Sequence, residues 1–342
     1  MEALATKYRP RTFDDVTEQG SVKTILKQQI ESGEIQHAYL FTGGAGTGKT
    51  TCARIFANEI NKGQGNPLEL DSASNNSVED IRNIIQQAKV QSIDSEYRIF
   101  ILDEVHALSN NAWQALLKIL EEPPTKSIFI MCTTNPEKIP RTILSRVQRF
   151  DFRRISQQGI VNRLAYIVSE ENVGGDTQSE CDEVESALSY IAKIADGGMR
   201  DAITLLDKCL AYSKDLTLEN VISALGTVDY EVFFDLTDAI TNKSQSGVIR
   251  IIETVHADGK DLKQFVKDYL SFLLDINKYD ITHSFEYLQL PATYSEALKN
   301  YSGDWYNKCR DLLPVIVKLN ADIKWDTQPK VAIEARLLGE VY

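Results

Sequence analysis

The sequence predicts a parallel α/β domain followed by an all-helical region. Three observations carry that expectation. Over the first 154 residues short apolar runs alternate with stretches of helical spacing. A glycine-rich loop, Gly43 to Gly48, joins one such run to a helix. From about Ser156 onward no strand-like run of any length occurs.

In order, residues 7–16 (Lys7-Tyr8-Arg9-Pro10-Arg11-Thr12-Phe13-Asp14-Asp15-Val16) form a basic, proline-stiffened lead-in. Ser21 to Ser32 carries Val22, Ile25, Leu26 and Ile30 on one helical face. His37 to Thr42 reads as the first core strand, and Thr50 to Ile60 as the helix after the glycine loop. Asn61 to Pro67 is a loop, and Leu68 to Asp71 a short second strand. Ser77, with Asp80 three residues on, signals a capped helix running to about Ala88. Arg98 to Leu102 is a buried strand ending in Asp103-Glu104, and a helix from about Asn111 to Glu122 stops at Pro123-Pro124. Ser127 to Thr133 and Arg149 to Phe152 complete the strands.

Beyond them the expected helices are Gln157–Glu170, Asp182–Ala195, Met199–Ser213, Leu218–Leu225, Glu231–Thr241, Gly247–Val255, Leu262–Ile276, Thr293–Asn300, Trp305–Ile323 and Lys330–Val341. Pro314 is positioned to kink the ninth of these, and Gly197-Gly198 breaks the chain before Met199. Boundaries near 154 and 215 divide the chain into 1–154, 155–215 and 216–342.

Gly43 to Thr50 spells G-x-x-x-x-G-K-T between a strand and a helix, the context a phosphate-binding loop requires. Glycines let successive N–H groups curl around a phosphate without Cβ clashes, and the helix N-terminus adds partial positive charge. The stretch Gly43, Gly44, Ala45, Gly46, Thr47, Gly48, Lys49, Thr50, Thr51 is therefore expected to hold nucleotide phosphates. Lys49 would reach the β- and γ-phosphates, and the Thr50 hydroxyl would ligate Mg²⁺. Asp103-Glu104, after the apolar run Ile99 to Leu102, fits a metal-shell carboxylate (Asp103) followed by a general base (Glu104). Taken alone, such a pair at a strand end is usually just a solvated turn. Thr134 at a strand end, Arg146 before the last strand and Arg200 after the glycine pair are weaker signals. In isolation a strand-end Thr is usually a cap, and a lone Arg a surface ion-pair partner.

Composition bounds the rest. The 342 residues are 43% apolar and 25% charged, ordinary for a globular chain of two or three domains. No apolar run approaches the length of a helical membrane span, and the start lacks the order of a signal peptide. The five cysteines are scattered and without C-x-x-C spacing, which fits a reducing cytoplasm and argues against a zinc site. The net charge of −12 lies entirely in residues 155–342; the first 154 hold 19 basic and 19 acidic residues. A nucleic-acid surface would have to be a local patch in the first half.

Taken in order, Gly43 to Thr50, Asp103-Glu104-Val105-His106, Leu116 to Pro124 (LLKILEEPP), Thr133-Thr134-Asn135-Pro136, Ile143-Leu144-Ser145-Arg146 and Gly198 to Ala202 resemble the AAA+ clamp-loader ATPases. The DEVH and LLKxLEEPP wording is similar to that of the bacterial DNA polymerase III gamma/tau family. Close matching covers roughly residues 4–215. The resemblance implies a P-loop AAA+ α/β domain, a small helical lid and an all-α collar that joins five subunits. It implies ATP with Mg²⁺, held by Thr50 and Asp103, and Thr134 as sensor 1. Arg200 becomes sensor 2 on its own site, and Arg146 a finger on a neighbour's ATP. Tyr8, Arg9 and Val16 would lie on the adenine side. The implied work is ATP-driven opening and loading of a sliding clamp on primer–template DNA during replication. Partners would be the clamp, the DNA, other loader subunits or copies of the chain itself, and the DNA polymerase indirectly, in a bacterial cytoplasm or that of a viral host, with no membrane.

Three departures stand out. The family's four-cysteine zinc module is replaced by Asn61 to Pro67, which has no cysteine, so no zinc is expected. Val147 stands where the finger motif usually has cysteine. Asn75 and Ser77 occupy places that are usually basic, while Arg82 and Lys118 match positions that face DNA; either could equally be a solvated helix charge. No polymerase-binding tail is evident, and these features suggest a compact variant.

Rival readings are a GTPase, a different AAA+ remodeller such as a helicase loader or Holliday-junction motor, and a non-hydrolysing scaffold subunit. The first would use Asn277-Lys278-Tyr279-Asp280 as its guanine motif, but that lies in a helical pattern far from the loop. The second lacks the LLKxLEEPP wording, and the third usually has a damaged phosphate loop.

Overall fold

The computed structural model describes residues 2–90, 92, 94–173, 178–226, 230–285, 288, 290 and 294–341. It divides into two units, Met1–Val173 with Ile191–Asp207, and Gly174–Tyr190 with Lys208–Tyr342.

The first unit is built on five parallel strands: β1 (Ala38–Gly43), β2 (Leu68–Asp71), β3 (Arg98–Asp103), β4 (Ser127–Thr133) and β5 (Gln148–Phe152), in the order β2-β3-β4-β1-β5. The buried runs of β1 (Ala38 to Thr42) and β4 belong to central strands covered on both faces, whereas β5 alternates buried Phe150 and Phe152 with exposed Arg149 and Asp151. Strand side chains alternate between two cores. Tyr39, Phe41, Ile99, Ile101, Ile128, Ile130 and Cys132 pack under α2 (Gly20–Ser32) and α3 (Lys49–Ile60), after the short α1 (Leu4–Lys7). Leu40, Phe100, Leu102, Phe129 and Met131 face α4 (Val78–Ala88) and α5 (Asn110–Glu121).

Ser77 closes a full capping box with Asp80, as its spacing predicts. The short α6 (Arg141–Leu144) precedes β5, and α7 (Gln157–Glu170) starts at Ser156, whose hydroxyl accepts from Gly159 N–H. Then come α8 (Gln178–Ile194) and α9 (Met199–Tyr212).

The second unit is helical: α10 (Leu218–Leu225), α11 (Tyr230–Thr241), α12 (Gln245–Ala257), α13 (Leu262–Thr282), α14 (Ser295–Lys299), α15 (Gly303–Ile323) and α16 (Pro329–Gly339). Phe233, Phe265, Tyr269 and Phe272 lie at its centre. Phe234 stacks on Tyr301 and Trp305, whose indole N–H donates to Asp238 at 2.7 Å. Such a ring cluster buries large apolar area while each polar edge keeps a partner.

Among the described residues all strands precede Arg153, as expected. Thr293, placed at a helix start on sequence grounds, lies outside the described residues. Pro314 removes one helical N–H donor, yet α15 continues through it as a single element. The Asn277–Asp280 tetrapeptide lies within α13, with Asn277 buried and donating to the Leu273 carbonyl, which is no posture for reading a base.

Candidate nucleotide-binding site

The carboxyl ends of β1 and β3 and the start of α3 open on one cavity of about 360 Å³ in the first unit. Ala45 to Thr51, Asp103 and Glu104 line it. So do Tyr8, Arg9 and Val16 of the lead-in and Met199, Arg200 and Asp201 of α9.

The loop conformation explains its glycines. Gly46 has φ +69°, and a Cβ there would sit 3.0 Å from Gly198 Cα, so the loop packs directly on the glycine break before α9. At Gly43, φ is +147° and a side chain would run into the Phe152 carbonyl of the neighbouring strand. Gly43 and Gly44 do not line the cavity; their carbonyls accept from Lys49 Nζ at 3.0 and 2.7 Å. Lys49 is 5% exposed, and burial lowers its pKa, with Glu104 and Asp103 opposing that shift.

The Thr50 hydroxyl donates to Asp103 Oδ2 at 2.7 Å, and Asp103 Oδ1 accepts from Glu104 N–H at 3.0 Å. Glu104 has φ 47° and ψ 44°, left-handed backbone that turns its carboxylate toward β4. There Oε2 accepts from Thr134 N–H at 3.2 Å and from the Thr134 hydroxyl at 2.9 Å. His106 Nδ1 is 3.2 Å from the same oxygen and 3.1 Å from Thr133 Oγ1. Thr134 thus meets the site through Glu104 rather than by lining the cavity.

Arg146 is apart from this cavity. It pairs with Glu121 at 2.8 Å and donates to the Thr142 carbonyl and the Ser145 hydroxyl, with a third of its side chain exposed. Arg82 and Lys118 line a separate groove of about 560 Å³ between α4 and α5, together with Lys89.

Sequence reasoning missed several neighbours. Arg163 of α7 lines the cavity and donates to the Tyr8 carbonyl at 2.9 Å, while the Tyr8 hydroxyl donates to Glu171 at 2.7 Å. Arg54 also lines it and makes two 2.6 Å bonds to Glu69. Buried Gln19 reaches the carbonyls of Thr47 and Arg153. None sits in a local motif; only strand order and helix packing bring them in.

Hard oxygen donors stand where a divalent cation would need them, at Thr50 and Asp103, beside a loop whose backbone path requires glycine at Gly43 and Gly46. The residues present fit a Mg²⁺-nucleotide.

Comparison with known proteins places the fold and the family. A family described as the DNA polymerase III delta subunit matches residues 18–76 and 68–156. The clamp-loader subunit ATPase lid domain of DNA polymerase III matches 159–215, and domain III of its gamma and tau subunits matches 216–334. The chain is 34% identical over 360 residues to DNA polymerase III subunit tau of Bacillus subtilis, covering 98% of this chain and 62% of that protein. It is 32% identical over 298 residues to the gamma subunit of Buchnera aphidicola, covering 81% and 80%. Against the gamma/tau subunit of Mycobacterium tuberculosis it is 34% identical over 299 residues, spanning half of that protein. Among solved structures, the RuvB Holliday junction branch migration motor of Thermotoga maritima superposes with a TM-score of 0.53 at 19% identity, over 68% of this chain and 79% of that one. That likeness is one of fold alone; with the lid and gamma/tau domain matches it supports an α/β P-loop AAA+ domain followed by helical domains. With matches running from residue 18 to residue 334, the chain belongs to the DNA polymerase III gamma/tau family of clamp-loader subunits.

Proposed function

We propose that this chain is the ATPase subunit of a sliding-clamp loader, using ATP binding and hydrolysis to open and load the clamp on primer–template DNA during replication. The observation that carries this is the convergence of Lys49, Thr50, Asp103 and Glu104 on one cavity, with every element of the phosphate loop intact. Intact chemistry also favours a hydrolysing subunit over a scaffold.

The roles follow from what each group is able to do. The N–H groups of Ala45 to Thr51 and the Lys49 ammonium take the phosphates, Lys49 exchanging its loop carbonyls for phosphate oxygens. Thr50 and Asp103 hold Mg²⁺, which when bound neutralises charge on the β- and γ-phosphates. Glu104 accepts the proton of the attacking water at a carboxylate oxygen. Thr134 has one hydroxyl hydrogen, so donating it to a phosphate means releasing Glu104. Arg200 reads the chain's own nucleotide. Arg146, turned to Glu121 and lining no part of its own cavity, is left to serve a neighbouring subunit. Tyr8, Arg9 and Val16 flank the base.

In the same reading residues 1–154 form the ATP domain, 155–215 the lid and 216–342 the collar of a five-membered assembly. Arg82 and Lys118, sharing a groove with Lys89, meet DNA phosphates. No zinc takes part, since Asn61 to Pro67 offers no cysteine. The protein works in the cytoplasm, with other loader subunits or its own copies, and serves the polymerase indirectly.

The test is Glu104→Gln. The amide keeps the contact surface but takes no proton, so turnover should fall about 10²–10⁴-fold while ATP affinity holds. Clamp captured with ATP should stay bound longer than with the unaltered protein. Unchanged single-turnover hydrolysis would assign the base elsewhere.

A further inference from the structure

Glu18 and Gln19 are consecutive non-glycine residues with left-handed backbone, φ 55° and 53°. Such a pair is strained and persists only where its surroundings hold it. The surroundings here are explicit. The Gln19 side-chain amide, 8% exposed, bonds both backbone atoms of Arg153, donating to the carbonyl at 2.7 Å and accepting from the N–H at 3.1 Å. The Glu18 carboxylate accepts from the N–H and hydroxyl of Ser156, the cap of α7. With its second amide hydrogen, Gln19 Nε2 donates to the Thr47 carbonyl at 3.4 Å.

That last contact bears on the phosphate cradle. In a trans peptide the C=O and the following N–H point in opposite directions. A donor that holds the Thr47 carbonyl away from the cavity therefore aims the Gly48 N–H toward it. The same logic applies one peptide earlier, where the Gly46 carbonyl accepts from Met199 N–H at 3.0 Å and the Thr47 N–H is left facing inward. Two peptide planes of the cradle are thus held by groups that lie outside the loop. Only one of those props is a side chain remote from the motif.

Resting on the nucleotide reading of the site, we infer that Gln19 is a positioning residue for phosphate. It touches no ligand but fixes the Thr47–Gly48 peptide so that its N–H meets the phosphates before they arrive. Preorganised donors cost no rearrangement on binding, which is where the affinity comes from.

The near-isosteric Gln19→Met keeps the buried volume and adds no charge, but removes the donor to Thr47 together with both bonds to Arg153. Titration calorimetry with Mg²⁺ and either ADP or inorganic pyrophosphate reads the effect. Both ligands should bind about tenfold more weakly, the effect of one charge-assisted hydrogen bond lost or misaligned, and by the same factor because only the phosphates are concerned. Unchanged affinities overturn the inference. A loss for ADP alone also overturns it, by placing Gln19 on the base side with Val16. Failure of the unaltered protein to bind ADP defeats the nucleotide reading itself. Should the variant not fold, amide exchange in the unaltered, nucleotide-free protein decides. The Arg153 N–H, held by the Gln19 amide oxygen, should exchange slowly, and exchange at solvent rates would show that Gln19 is not held where the inference needs it.

Discussion

Arg146→Ala should bind ATP with nearly unaltered affinity and yet lose about 10³–10⁵-fold in assembled, stimulated turnover, the range found for arginines that neutralise transition-state charge from a neighbouring subunit. The expectation starts from position. The guanidinium lines no part of the cavity in its own chain and is held by Glu121, the Thr142 carbonyl and Ser145, with a third of the side chain exposed. An exposed ion pair of this kind is worth little to stability, so its loss should leave the thermal midpoint within a few degrees. A mixing experiment separates action on a neighbour from action within one chain. Lys49→Ala subunits are inert themselves but still present Arg146. Combined with Arg146→Ala subunits, whose own sites are whole, they should restore part of the clamp- and DNA-stimulated activity. Verified mixed assemblies without recovery would confine Arg146 to its own chain or to the surface.

Lys49→Ala should abolish tight nucleotide binding. The ammonium is buried and donates twice, to Gly43 and Gly44, and in the proposed reading those two donors would turn to phosphate oxygens. Two hydrogen bonds to a charged group amount to about 3–6 kcal/mol, or roughly 10²–10⁴-fold in Kd. Burial lowers the Lys49 pKa, so the charged lysine opposes folding at neutral pH, and that cost fades as pH rises into the lysine range. Alanine removes the cost. It also removes the two bonds to the Gly43 and Gly44 carbonyls, so the net change in stability should be small beside the loss of binding that calorimetry reads; normal affinity would contradict the phosphate-loop assignment.

Much of this was legible because the chemistry is local in sequence. Gly43 to Thr50 and Asp103-Glu104 each declare themselves within a few residues, and alternation placed the strands that carry them. What was not legible depends on pairing between distant segments. Glu104 meets Thr134 only because β3 lies beside β4. Gln19 and Arg163 enter the site because α2 and α7 are folded against it, and neither has a neighbour in sequence that announces the role. Helix ends moved for ordinary reasons. The apolar spacing of α13 fades after Ile276, yet no glycine or proline interrupts the chain, and the helix runs on to Thr282. α1 and α6 are single turns, too short for any periodicity to show.

The central claim, that ATP turnover here is coupled to a clamp and primed DNA, is tested most directly by steady-state hydrolysis. The assembled protein should be measured alone, with clamp, with primer–template DNA, and with both, against Lys49→Ala as background. Turnover should be slow for the protein alone and fastest when clamp and primed DNA are present together. Hydrolysis no faster than the Lys49→Ala background in all four conditions, from protein that binds ATP, would contradict the claim.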